Sequence, residues 1–145
     1  MDRRTALRWA GAGVAAGLAG CLDGLGGDGV TPPPENRDTR SLLPDPPEGW
    51  SRTAVDDLST NVLDIRQGNS ADYSTPADDT YEAEVINWHT EDEAERGGDE
   101  RYADWSAWVV SGTFTFAATG LDDELARRLL ANALALTREY VDEHA

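Results

Sequence analysis

Lysine is absent from this chain of 145 residues: all twelve of its basic side chains are arginine. That absence excludes a P-loop, whose lysine reaches the phosphates, and a lysine Schiff base of the pyridoxal type. Cysteine occurs once and histidine twice. A structural zinc site needs more Cys and His pairs than that. A blue-copper site would consume the lone cysteine together with both histidines. No GxSxG elbow occurs. His144 is the penultimate residue, so His89 is left as the one candidate base, and it reads as a solvent-facing or capping side chain. Apolar runs are short, and none approaches the ~20 residues that a membrane-spanning helix requires.

Acid is what the chain has in excess: 28 Asp and Glu against 12 basic residues, a formal net charge of −16. Nucleic-acid binding rests on cations meeting phosphates, so this balance excludes it as a partner. Such a chain repels itself in dilute buffer, whereas at 1 M salt the screening length falls to about 3 Å and the repulsion fades. The pattern resembles that of proteins from extreme halophiles. High charge with low hydrophobicity is also a signature of disorder. Beyond residue 41, however, Trp, Val, Leu and Phe cluster in periodic runs that argue for a folded domain. The acidic clusters Asp56-Asp57, Asp78-Asp79 and Glu91–Glu95 offer oxygens for a cation. None has EF-hand spacing, and they read as solvated surface, so no metal or other cofactor is expected.

The first forty residues carry the sharpest signals. Arg3, Arg4 and Arg8 form a basic start, Trp9 to Ala19 a short apolar stretch, and small residues follow. That is the build of an export signal. Arg3-Arg4-Thr5-Ala6-Leu7-Arg8 resembles the twin-arginine export motif, with general secretion as the alternative route. Leu18-Ala19-Gly20-Cys21 resembles a lipobox, in which the cysteine is lipidated on sulfur and becomes the new first residue. The resemblance is to a haloarchaeal lipoprotein. It implies a signal peptide over 1–20 and a domain held at the extracytoplasmic face of the cell membrane through a lipid on Cys21. Removing residues 1–20 takes away three arginines and one aspartate, leaving 27 acidic residues and 9 arginines, a net of −18. Residues 21–41, with their glycines and Pro32-Pro33-Pro34, read as a disordered linker after the anchor.

Residues 42–145 read as a single α+β domain. Trp50 to Val55 and Asn61 to Gln67 are expected strands, Gly68 to Thr80 a loop, and Tyr81 to His89 a strand. Apolar residues switch face within the last of these, which a strand buried on both sides, or a bulge, would explain. Thr90 and Glu93 match a capping box, opening a helix expected to end near Gly97-Gly98 or to resume as far as Ala103. WSAWVVSGTFTFAAT, from Trp105 to Thr119, reads as a hairpin with its turn at Ser111-Gly112, so that Val109 faces Phe114. On that register Trp105, Ala107, Val109, Phe114, Phe116 and Ala118 share one side. Leu121 to Glu143 reads as one helix. The expected order is β-β-β-α-β-β-α, an antiparallel sheet of about five strands with two helices.

Trp108 and Val110 then point away from the main core, as do Trp88 and Ile86 on their strand. Left uncovered, these four would form an apolar patch of the kind that marks an interaction site. No catalytic constellation is legible. The expected function is therefore a non-enzymatic binding or interaction module, its partner another envelope protein. The alternative is an extracytoplasmic domain that binds a small solute or a cation.

Overall fold

The computed structural model describes residues 30–145. Strands β1 (Ser51–Asp57), β2 (Gln67–Ser74), β3 (Thr80–Asn87), β4 (Ala107–Ser111) and β5 (Phe114–Thr119) form one antiparallel sheet in the order β1-β2-β3-β5-β4. Helices α1 (Thr60–Leu63), α2 (Glu91–Arg101), α3 (Asp123–Leu130) and α4 (Arg138–His144) complete an α+β fold. The chain skips one place after β3, passes through α2, lays down β4 at the edge and returns as β5 beside β3. This puts β3 near the centre, flanked on both sides and in continuous register with both neighbours.

That position explains the change of apolar face along β3. Tyr81, Ala83 and Val85 enter the larger core against α3 and α4, on what we term the near face. Glu84 and Ile86 point to the opposite, far face, beneath α2. The strand is buried on both sides and carries no bulge. The irregularity in this sheet lies in β1 instead, between Arg52 and Ala54.

Several local expectations yield to tertiary context. Residues 61–66 do not form a strand, and Gln67 opens β2. Ser59 caps a single helical turn by accepting from the Val62 N–H, and Asp64 ends it in the left-handed region at φ 55°. The alternating Leu63 and Ile65 still find apolar surroundings, both packing into the far-face cluster. The polar stretch expected as a loop becomes β2, because it lies between β1 and β3 and its polar groups are satisfied there. Asn69, buried, accepts from the Thr39 hydroxyl at 2.7 Å and donates to the Asp57 carboxylate at 2.6 Å.

The hairpin keeps its faces but not its register. The turn is Gly112-Thr113, so Val109 pairs with Phe116 and Val110 with Thr115. Gly112 takes φ +64°, which suits a turn with glycine in first position. The shift totals two residues, and a period of two leaves the side chains of both strands on their expected sides. Trp105, which precedes β4, does not follow and packs into the far-face cluster instead. At Thr90 the cap is as expected, its hydroxyl accepting from the Glu93 N–H at 3.1 Å. Helix α2 nevertheless runs through Gly97-Gly98 to Arg101. The terminal helix, expected whole, is broken between α3 and α4. Asn132 donates its side-chain amide to the Asp45 carbonyl at 2.9 Å, and Thr137 caps a new helix through the Tyr140 N–H at 3.1 Å.

The folded part also begins before residue 42. Residues 30–43 cross one end of the near face as a strap, from the β4–β5 turn, where Pro32 lies against Gly112, towards β1. The Glu35 carbonyl accepts from the Asn87 amide at 2.7 Å, and Asp38 accepts from Gln67 at 3.0 Å. Thr39 is fully buried. Polar composition suggested a linker, but the polar groups here pair with the side-chain amides of Gln67, Asn69 and Asn87, and Leu42 and Leu43 are buried in the near-face core.

Candidate functional site

The far face of β3, β5 and β4 presents Glu84, Ile86, Thr115, Ala117, Trp108 and Val110, with Trp88 following β3. Helix α2 can lie on this surface because of its two consecutive glycines. A Cβ at Gly97 would run into the benzo ring of Trp88, and one at Gly98 into that of Trp108. Glycine costs a helix interior roughly 0.5–1 kcal/mol relative to alanine. Here it allows two indoles to reach the helix backbone. Tyr102, at the end of α2, completes the cluster, with its ring 5.0 Å from Trp105 and 5.9 Å from Trp108. The Trp88 indole N–H donates to the Thr115 hydroxyl at 2.9 Å.

Beneath the end of α2 lies a buried carboxylate. Glu84, 2% exposed, accepts from Arg101 through both of its oxygens, at 2.5 and 3.0 Å, and from the Tyr102 hydroxyl at 2.8 Å. The hydrogen bond to Glu84 raises the pKa of Arg101 above its ordinary value. Burial, and then the Glu84 charge, push the Tyr102 hydroxyl well above its own. Both groups therefore keep their protons and serve as donors. On the same strand Glu82 is raised too, first by burial and then by the negative charges of Glu84 and Asp72.

This arrangement corrects the expected interaction patch. Ile86, Trp88, Trp108 and Val110 do gather on the far face, but α2 covers it. Ile86 is fully buried and Trp88 is 9% exposed. Trp108 and Val110 remain half-buried. They line a cleft of about 560 Å³ that runs along the outer edge of β4, walled by Glu95, Arg96 and Asp99 of α2 and by Tyr140 and His144 of α4. The Tyr140 and His144 rings stack with centroids 4.1 Å apart. The Tyr140 hydroxyl donates to the Val110 carbonyl at 2.7 Å. The cleft thus offers an aromatic floor, strand backbone and charges of both signs.

His89 lies on the surface with its ring nitrogen 3.4 Å from the Asp64 carboxylate. Among the described residues no group of three or more His, Cys, Asp and Glu side chains is placed to hold a metal ion. No helix among them is long and apolar enough to cross a membrane. Cys21, Arg3 and Arg4 lie outside the described residues. No protein-family model matches the chain, and neither does any curated protein or solved structure.

The Glu84–Arg101–Tyr102 group was not foreseen. Its signal was present in the YEAEVINW stretch, where two carboxylates interrupt an apolar strand. An acid in a central strand needs a cation from another element, and Arg101 is 17 positions away.

Proposed function

We propose that this chain is an exported lipoprotein, anchored through Cys21 on the outer face of the membrane of a cell living at molar salt. Its folded domain acts there as a non-enzymatic binding module, and the cleft beside Trp108 is its recognition site. The observation that carries the binding reading is the half-buried indole of Trp108, accessible in a cleft where charges of both signs converge. Sites of this kind take up partners or ligands through a few oriented polar groups on an apolar floor. Nine positions separate Cys21 from Val30, the first described residue. Fully extended, they span at most about 30 Å, which keeps the domain close to the bilayer. The acidic surface supports the same setting, since it is tolerated where salt screens it.

Crosslinking with mass spectrometry on native membranes at molar salt tests this reading. A reproducible protein partner linked to residues around Trp108 is the expected result. Crosslinks confined to the domain itself would reject a protein partner. They would favour the second reading, a small solute or cation, for which a volume of about 560 Å³ is suitable. The anchor has its own test. Cys21→Ala should release the protein from the membrane fraction into the medium, and retention would refute lipidation.

A further inference from the structure

We infer that the outer edge of β4 is a rail for an extended, arginine-bearing segment of a partner polypeptide, which joins the sheet there as a sixth strand. This deepens the reading of the cleft as the recognition site and rests on it. In an antiparallel pair, the main-chain groups of alternate residues turn towards the partner strand and those of the others turn outward. Val110 belongs to the outward set, because its carbonyl meets Tyr140 of α4, which lies outside the sheet. Trp108, two residues earlier in the same unbroken register, turns its own N–H and C=O the same way. The cleft follows this backbone from Trp108 to Val110.

The two edges of the sheet are not equivalent. β1 is bulged between Arg52 and Ala54 and ends in Asp56-Asp57, devices that keep other strands from pairing. β4 is unbulged, and its outward Val110 carbonyl is met by a side-chain hydroxyl rather than by another strand. An incoming strand would displace that hydroxyl and replace its bond with a main-chain one.

The surroundings specify the occupant. Alternate side chains of an added strand would point to the far face, beside the Trp108 ring and below Asp99. Arginine suits that position, stacking on indole while pairing with a carboxylate. Arg96 shares the wall, so its three charged residues sum to −1, within a chain of net −16. The remaining side chains would point towards Tyr140, where valine or another β-branched residue fits. Molar salt screens the charge attraction. The main-chain bonds would then carry most of the affinity, as in other cases of strand addition.

The test uses the full-length chain in detergent at molar salt, with fluorescently labelled Val-Arg-Val-Arg-Val, blocked at both ends, as probe. Its control is the same peptide methylated on the two amide nitrogens that would face β4. The unmodified peptide should bind. The methylated one, lacking two main-chain bonds, should bind roughly 25-fold more weakly. Tyr140→Phe, which removes the competing hydroxyl, should tighten the unmodified peptide about fivefold. Equal binding of the two peptides would overturn strand addition while leaving the cleft as a recognition site. No binding of either at millimolar concentration overturns the inference as well. The crosslinking experiment then decides separately whether the cleft reading stands.

Discussion

The two faces of the sheet are held together by different means. The near face is broad and redundant: Tyr73, Tyr81, Phe114, Phe116, Leu129 and Leu130 are all essentially inaccessible, and many smaller residues fill in around them. The far-face cluster has six buried apolar members among the described residues and relies on individual contacts. Two indoles rest on two glycines, and one carboxylate is held by one guanidinium and one phenol. A redundant core spreads the loss of any one side chain over many neighbours. A face built from specific contacts concentrates it. The cleft along β4 opens beside the second kind, where polar and charged groups line it without entering the main core.

Substitutions on the two faces should separate these regimes. The largest effect is expected from Arg101→Met, which leaves Glu84 buried without its cation and should cost about 3–5 kcal/mol in urea unfolding. If that variant loses under 1 kcal/mol, the view of α2 as held by this pair is wrong. Gly97→Ala and Gly98→Ala come next. In an exposed helix either change would stabilise, but here the new methyl meets an indole and each should cost about 1–3 kcal/mol. Thermal unfolding of the two variants checks the sign. On the near face Phe116→Leu removes less volume than a truncation and leaves no polar group unpaired. It should cost about 1 kcal/mol, and a larger loss would show that the near core is as finely fitted as the far one.

The smallest effect concerns Glu82. Its folded pKa is raised, first by burial, so the native state binds the proton more tightly than the unfolded chain does. Its contribution to stability is therefore greatest at low pH and falls as pH rises from 4.5 through the higher folded value. At neutral pH Glu82→Gln should stabilise slightly, by up to about 0.5 kcal/mol. The gain should vanish near pH 4, where the carboxyl is already largely protonated. Equilibrium unfolding at the two pH values would reveal it, and a destabilised Glu82→Gln at neutral pH would contradict the assigned direction.

The α+β class and the sharing of faces along the hairpin could be read directly from periodicity. So could the helix start at Thr90, since each of these depends on residues close in sequence. The hairpin register slipped by two because Ser111-Gly112 and Gly112-Thr113 both place a glycine in the turn. β2 was not legible, because the partners of Asn69 are Thr39 and Asp57, distant in sequence. The break before α4 had the same origin, since Asn132 is engaged by Asp45. In the candidate site, Trp108 and Val110 were correctly placed together on the far face. Their cover was missed, because Gly97-Gly98 reads as a helix end until the indoles that occupy the space are known.

The amino-acid sequence by itself determined the net charge, the stretches whose resemblance to export and anchor signals the proposal rests on, and the alternation that assigns most strand residues to a face. These are local or additive properties, each readable within a few residues or summed over the chain. Only the tertiary structure decided which polar segments were ordered, which aromatics were covered and which strands lie at the edges of the sheet. Each of those depends on what a residue meets from elsewhere in the chain: burial is affordable for Glu84, Asn69 and Thr39 only because a specific partner arrives with them.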